Sequence, residues 1–268
     1  MKYNRILYLW LLLAMAVISS CIVIDPDDSA MNTDYSAQET FRHEIPVQDQ
    51  TRFAIGGING DIIIRGRAGL ATVTISGEKI VRSDGEKDAR NHLDELDVLI
   101  SKKVNEIVVK TEQPDDTNGR SYTVHYEIEI PNDWEVYANN VNGRLEIDSL
   151  SNDVVSGLVN GDICLWKING SVVASVTNGK IDACVDLPQE GNCKLSTVNG
   201  SINLCIPKST SATLSANVVN GTISISDLQV GNLTNTTRSV RGVIGSGDGE
   251  ITLSSLNGTI AVNGYTTD

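Results

Sequence analysis

Val159-Asn160-Gly161-Asp162-Ile163 is one copy of a pattern that recurs through the second half of this 268-residue chain. Val141-Asn142-Gly143-Arg144-Leu145, Ile168-Asn169-Gly170-Ser171-Val172, Val198-Asn199-Gly200-Ser201-Ile202, Val219-Asn220-Gly221-Thr222-Ile223 and Leu256-Asn257-Gly258-Thr259-Ile260 repeat it, and Thr177-Asn178-Gly179-Lys180-Ile181 changes only the first residue. Ile58-Asn59-Gly60-Asp61-Ile62 is an outlying copy upstream, and Ser246-Gly247-Asp248-Gly249-Glu250-Ile251 reads as a degenerate copy with Asp for Asn. A fixed internal period marks a coiled architecture in which each unit packs on its neighbours.

Asn-Gly between apolar stretches ordinarily signals a two-residue hairpin, because a type I′ turn needs positive φ at both central residues. The flanks argue against that here. In such a hairpin the residue before Asn and the residue after Gly are cross-strand partners on one face, so their polarity should match. Val141 would face Arg144, Val159 would face Asp162 and Val198 would face Ser201. The like residue is instead the second after Gly. A three-residue hairpin loop would restore the match but normally carries its glycine third. The pattern therefore predicts a bend between two short strands of one coil, with Asn accepting a left-handed conformation and Gly turning without steric cost.

The bends at Asn142, Asn160, Asn178, Asn199 and Asn220 lie 18, 18, 21 and 21 residues apart, and Asn169 falls half-way through one interval. Coils of about 20 residues whose strands stack ~4.8 Å apart form a parallel β-solenoid. The expected fold is all-β, a right-handed parallel β-helix by the usual chirality of crossovers. Stacking would align Asn142, Asn160, Asn178, Asn199 and Asn220 in a column whose amides bond from rung to rung. A polar stripe that binds a glycan is the functional alternative. Val, Ile and Leu fill the repeats and aromatics make up only 4% of the chain, as narrow coils require. The last coil, residues 258–268, is expected to expose an edge that its polar tail blunts or a partner pairs with.

Residues 40–135 are β-rich but less regular. Ile45 to Val47, Arg52 to Ile64 and Ala71 to Arg82 alternate apolar and polar residues, which predicts half-buried strands, and strands are expected again at 97–101, 106–111 and 122–130. Ala89, Leu93 and Leu96 mark one face of a short helix near residues 86–96. The expectation is one elongated domain over residues 40–268, with wider coils at 40–135 and regular repeats at 136–268.

At the N-terminus, Lys2 and Arg5 precede an apolar run from Ile6 to Ile18, too short to span a bilayer and the length of a signal-peptide core. The run ends in Ile18-Ser19-Ser20-Cys21, which resembles a bacterial lipobox. Residues 1–20 thus read as a lipoprotein signal peptide and Cys21 as the lipidated first residue of the mature chain, anchoring it to the membrane. Residues 21–39 read as an acidic flexible tether. Ile22 is not the Asp that holds enterobacterial lipoproteins at the inner membrane, which points to the outer membrane, on its periplasmic face or at the cell surface. Without Lys2 and Arg5, 19 basic residues stand against 34 acidic ones, a net charge of −15. Nucleic acid is a poor partner for such a chain.

Cys164, Cys184, Cys193 and Cys205 remain. Cys184 and Cys205 each lie six residues after the Asn of their own repeat, so stacked coils would place them side by side on adjacent rungs. An oxidising compartment would allow them to bridge, although in-register parallel neighbours are not an easy disulfide geometry. Free, packed thiols are the alternative. No Cys-x-x-Cys pair is present and His43, His92 and His125 all lie outside this region, so no zinc site is expected.

The chain carries no Walker loop, nucleophile elbow, zinc-protease motif or dinucleotide fingerprint. Gly245 to Gly249 is glycine-rich but has no Lys-Ser/Thr after it. Asp61, Asp162 and Glu250 follow the glycine of their repeats, yet the equivalent residues elsewhere are Arg144, Ser171, Lys180, Ser201, Thr222 and Thr259. Scattered charge at an outward position reads as solvated surface, as do the acidic turns at Asp25 to Asp28 and at Asp115 and Asp116, for which bound calcium is the alternative. No catalytic residue, metal or cofactor is expected.

Val124-His125-Tyr126-Glu127-Ile128-Glu129-Ile130-Pro131, the serial Asn-Gly units, Ile202 to Lys208, and Ile244 to Ile251 with the final Asn257-Gly258-Thr259-Ile260 together resemble the bacterial DUF4097 adhesin-like family, itself related to the head domains of autotransporter adhesins. The resemblance covers roughly residues 50–264. It implies a β-helical extracytoplasmic domain without assigned catalytic residues. The functional expectation is a lipid-anchored, non-catalytic envelope protein that presents a rigid β-helix to a protein or glycan. The alternatives are an envelope-stress signalling accessory and a polysaccharide-active β-helix enzyme.

Overall fold

Every regular repeat bends the chain once and stacks on the next in register. The structure, a computed structural model, describes residues 35–266. The signal peptide, Cys21 and most of the expected tether lie outside the described residues. The chain divides into Met1–Asn32 and a compact unit, Thr33–Asp268.

The elements in chain order are β1 (Tyr35–Pro46), β2 (Arg52–Gly56), β3 (Ile62–Arg67), β4 (Thr72–Ser83), α1 (Glu86–Asn91), a 3-10 turn (Leu93–Glu95), β5 (Asp97–Lys102), β6 (Glu106–Glu112), β7 (Ser121–Pro131), β8 (Glu135–Asn142), β9 (Leu145–Leu150), β10 (Val154–Asn160), β11 (Ile163–Asn169), β12 (Val172–Asn178), β13 (Ile181–Asp186), β14 (Asn192–Asn199), β15 (Ile202–Pro207), β16 (Ala212–Ser226), β17 (Val230–Asn235), β18 (Ser239–Ile244) and β19 (Gly249–Tyr265). In the regular region β8, β10, β12 and β14 run parallel in one stack. Strands β9, β11, β13 and β15 run parallel in a second stack. The chain is a two-sided parallel β-solenoid, as the spacing of the bends predicts.

Alternation supplies the core between the two stacks. Val136, Val154, Val172 and Cys193 line up in one inward column, and Leu145, Ile163, Ile181 and Ile202 line up opposite; all eight are fully buried. Each such aliphatic contributes roughly 1.5–3 kcal/mol by leaving water.

Both ends depart from simple sequence order. At the N-terminal end, β2 and β3 form a regular rung around Asn59-Gly60 that sits between β6/β7 and β8/β9. The upstream region is therefore not a run of wider coils. It holds two solenoid rungs and an antiparallel cap in which β1 pairs with β4, β4 with β7 and β5 with β6. Tyr35 to Glu39, expected in the tether, already pair with β4. The helix is shorter than expected, because Asn91 closes it before the 3-10 turn. Asp88 on α1 takes two hydrogen bonds from Arg120, at 2.7 and 2.8 Å, which tie the helix to the start of β7.

At the C-terminal end, β19 inserts between β14/β15 and β16. The final strand is thus paired on both sides, and the rung that ends the stack is β16. Burial follows the order: Ile251, Leu253, Ile260 and Val262 of β19 are fully buried, whereas Ile223 and Ile225 of β16 remain half-exposed.

The corner glycines carry the turn alone. Gly143, Gly161, Gly179, Gly200, Gly258 and Gly221 have φ between 125° and 154°, while none of the asparagines before them has positive φ, contrary to the left-handed conformation expected of them. A Cβ on Gly200 would collide with the carbonyl oxygen of Gly179, and one on Gly161 with that of Gly143. Only glycine lets adjacent corners approach closely enough for Gly179 N–H to reach Asn199 O at 2.9 Å. Gly200→Ala is therefore expected to cost roughly 3 kcal/mol or more. Gly69→Ala, where φ is also positive (68°) but the space is open, should cost only about 1 kcal/mol; urea unfolding of the two variants measures the difference.

Candidate functional site

The asparagine side chains form a continuous ladder along the corner. Nδ2 of Asn142 donates to Oδ1 of Asn59 at 2.7 Å, Asn160 to Asn142 at 2.8 Å, Asn178 to Asn160 at 2.9 Å and Asn199 to Asn178 at 2.8 Å. Asn199 and Asn220 do not touch. Asn257 stands between them, donating to Asn199 at 2.8 Å and accepting from Asn220 at 2.8 Å. The column thus runs Asn59, Asn142, Asn160, Asn178, Asn199, Asn257, Asn220, in stack order rather than chain order. At its start the amide of Asn59 is capped by the Tyr122 carbonyl at 3.0 Å. Asn169 sits on the opposite corner, at the end of β11.

The carboxylates beside the corner are engaged by backbone. Asp61 Oδ1 accepts from Arg144 N at 2.8 Å and Asp162 Oδ1 from Lys180 N at 3.1 Å, each holding the next rung. Glu250 is not in that column. It opens β19 in register with Asn192, on the far corner from Asp162, so the degenerate Asp-Gly copy is not an Asn-Gly bend.

Cys184 and Cys205 occupy one register position on β13 and β15 and form a disulfide, with Cα atoms 4.6 Å apart. A cross-link closing a 21-residue segment stabilises by about 3 kcal/mol on a chain-entropy account. Cys193 is a core thiol, and burial pushes its pKa up to about 12. Burial also raises Cys164, against the opposing pull of the Arg144 guanidinium. Neither is an activated nucleophile.

The outer face of the second stack carries a feature that the repeat pattern hides. Lys167 has φ of 51° and the register between β11 and β13 slips between Leu165 and Ile168. The slip gives β11 one residue more than β13 just beyond Trp166, which alternation with the buried Ile163 and Leu165 already sets on the outer face, 39% exposed. Trp166 borders a shallow hollow of about 110 Å³ with Asp182, Asn203, Asn263 and the Cys184–Cys205 disulfide. Asn203 Nδ2 donates to Asp182 Oδ1 at 2.6 Å, and Lys180 Nζ pairs with Asp182 Oδ2 at 3.0 Å. A larger hollow of about 330 Å³ lies against β16, β18 and β19, lined by Thr213, Ser215, Asn232, Arg241 and Glu250 and by no aromatic ring. Each hollow has a single carboxylate in its lining. The extra residue at Lys167 is invisible to periodicity, and Ile163-Cys164-Leu165-Trp166 reads as an ordinary apolar run although alternation sets Trp166 outward.

The ladder geometry separates an interior rung from the last one. Asn178→Asp would set a carboxylate oxygen against Asn160 Oδ1 and is expected to cost about 1–3 kcal/mol. Asn220→Asp, which loses only the outermost link, should cost less than about 1 kcal/mol; thermal unfolding of the pair checks this.

Residues 134–263 match the family model Toastrack DUF4097. No curated protein matches the chain significantly. Among solved structures, a "putative cell adhesion protein" from Clostridium sporogenes aligns at 11% identity over 85% of this chain and 100% of its own, with a TM-score of 0.47. A "putative adhesin" from Bacteroides fragilis aligns at 10% identity over 85% and 97%, with a TM-score of 0.30. A "putative lipid binding protein" from Parabacteroides distasonis aligns at 11% identity over 84% and 96%, with a TM-score of 0.27. Through its stacked Asn-Gly rungs, the repeat region at residues 134–263 belongs to the Toastrack DUF4097 family.

Proposed function

We propose that this chain is a non-catalytic binding protein of the cell envelope, held at the outer membrane by lipid on Cys21, that presents the outer face of its second stack to a neutral glycan. The observation that carries the reading is Trp166. An indole standing 39% exposed beside Asp182, Asn203 and Asn263 offers an apolar plate for the C–H face of a sugar ring and a rim of hydroxyl-binding groups. The net charge of −15 without the leader selects against acidic polysaccharides. A single carboxylate in each hollow provides no acid–base pair of the kind glycosidases use, which supports binding over turnover. The ladder asparagines are occupied with one another and serve the scaffold.

Trp166→Ala should leave the unfolding midpoint within about 1 °C and weaken glycan retention on an array by about tenfold or more, the loss of one stacking contact. A folded protein that engages no glycan, or engages one equally well without the indole, would overturn the assignment. For the anchor, Cys21→Ser is expected to move the chain from the membrane fraction to the soluble fraction of lysed cells; unchanged fractionation would remove the lipid from the reading.

A further inference from the structure

Four strand edges stay open among the described residues: those of β1, β5, β17 and the second half of β16. Three are blunted. Strand β1 carries Glu39, Arg42, Glu44 and Pro46, β5 begins with Asp97 and ends with Lys102, and β17 is broken by a bulge at Asn232. Charge, proline and bulges are the usual devices against edge pairing. The fourth edge, Gly221-Thr222-Ile223-Ser224-Ile225-Ser226, has none of them. It holds unbroken register with β19 on one side, and β18 covers β16 only as far as Asn217.

Its hydrogen-bonding groups follow from the stack. Leu145 N donates to Asp162 O, Ile163 N to Lys180 O and Ile181 N to Ser201 O, each toward the C-terminal end. Ile223 is the last member of the column running from Leu145 through Ile163, Ile181, Ile202 and Ile260. The N–H and C=O groups of Ile223 and Ile225 therefore point out of the stack, where a further rung would sit.

From this we infer that the edge of β16 pairs with the same edge of a second copy of this chain, antiparallel and centred on Ser224. The segment is self-complementary in that register: Ile223 faces Ile225 of the second copy, Thr222 faces Ser226, and Ser224 faces itself. The two isoleucine pairs exchange four backbone hydrogen bonds, and Ser224 meets Ser224 as the closer, non-bonded pair, with Cα atoms about 4.5 Å apart. Half-exposed Ile223 and Ile225 gain the cover that Ile260 and Val262 already have one rung inward. Repulsion between two acidic chains is weak at the seam, because the segment is uncharged and the two Asp227 side chains stand ~20 Å apart. Strand β1 lies at the far end of the sheet, so the dimer is end to end, with the two Tyr35 residues at its opposite extremities.

The test is sedimentation equilibrium of the compact unit Thr33–Asp268 and its Ser224 variants at concentrations on the order of 100 μM. The unmodified chain is expected to show twice the monomer mass. Ser224→Lys and Ser224→Glu, each at an exposed position, should be monomers, since like charges meet across the two-fold; an equimolar mixture of the two should regain the dimer mass. A monomeric unmodified chain, dimers that survive either substitution, or a mixture of folded variants that stays monomeric would each overturn the pairing.

Discussion

The close approach of successive glycine corners is the constraint on which this molecule rests. Strands in one stack must lie ~4.8 Å apart, and at the bend that spacing brings backbone directly over backbone. The carbonyl of one corner glycine occupies the space where a Cβ of the next would stand. Glycine is therefore required twice at each bend, once for its positive φ and once for its missing side chain. Given that spacing, the preceding asparagines fall into amide contact, and the ladder follows. Its six links are the consequence of the stacking rather than its cause, since all but the part-buried Asn142–Asn59 link are exposed bonds of modest net value.

The ladder also gives the solenoid a direction. Every amide donates toward the N-terminal end, where the Tyr122 carbonyl closes the series around Asn59. At the other end Asn220 donates inward to Asn257, and its own oxygen faces the place of the next rung. The backbone has the same polarity. A stack with two unlike ends needs two unlike solutions: antiparallel strands and a pinned helix cover the first, while the second is only half covered by β17 and β18.

Periodicity in the sequence revealed what is repeated. The aliphatic residues on each side of Asn-Gly, the parallel sense of the strands and the shared position of Cys184 and Cys205 all follow from a constant coil length, which can be counted without coordinates. Stacking order cannot be counted that way. Asn59 and Asn257 belong visibly to the repeat, but nothing local says that residues 52–67 nest against 135–150, or that β19 wedges in ahead of β16. Those placements are non-local, and burial follows them: Ile260 and Val262 are fully enclosed where Ile223 and Ile225 are not. In short turns asparagine itself takes positive φ, whereas in this solenoid corner the glycine absorbs the whole change of direction.

In a repeat architecture, residues that obey the repeat are explained by the fold, so specific function is best sought where the repeat is broken at a cost. The slip at Trp166 is such a place. Ser149 and Lys167 both adopt positive φ on consecutive rungs, at 62° and 51°, conformations that cost non-glycine residues on the order of 1 kcal/mol or more each. The distortion forfeits regular pairing with β13 directly beside an indole that stands in water, so stability alone does not favour it. Neighbouring rungs solve the same position with Asp148 below and a disulfide above, neither of which needs an aromatic residue to pack. The indole is held against a cross-linked, immobile floor, so a ligand stacking on it would lose little to reorganisation of the protein. A rigid scaffold with an exposed aromatic beside a strained turn suits the glycan-binding surface proposed for it.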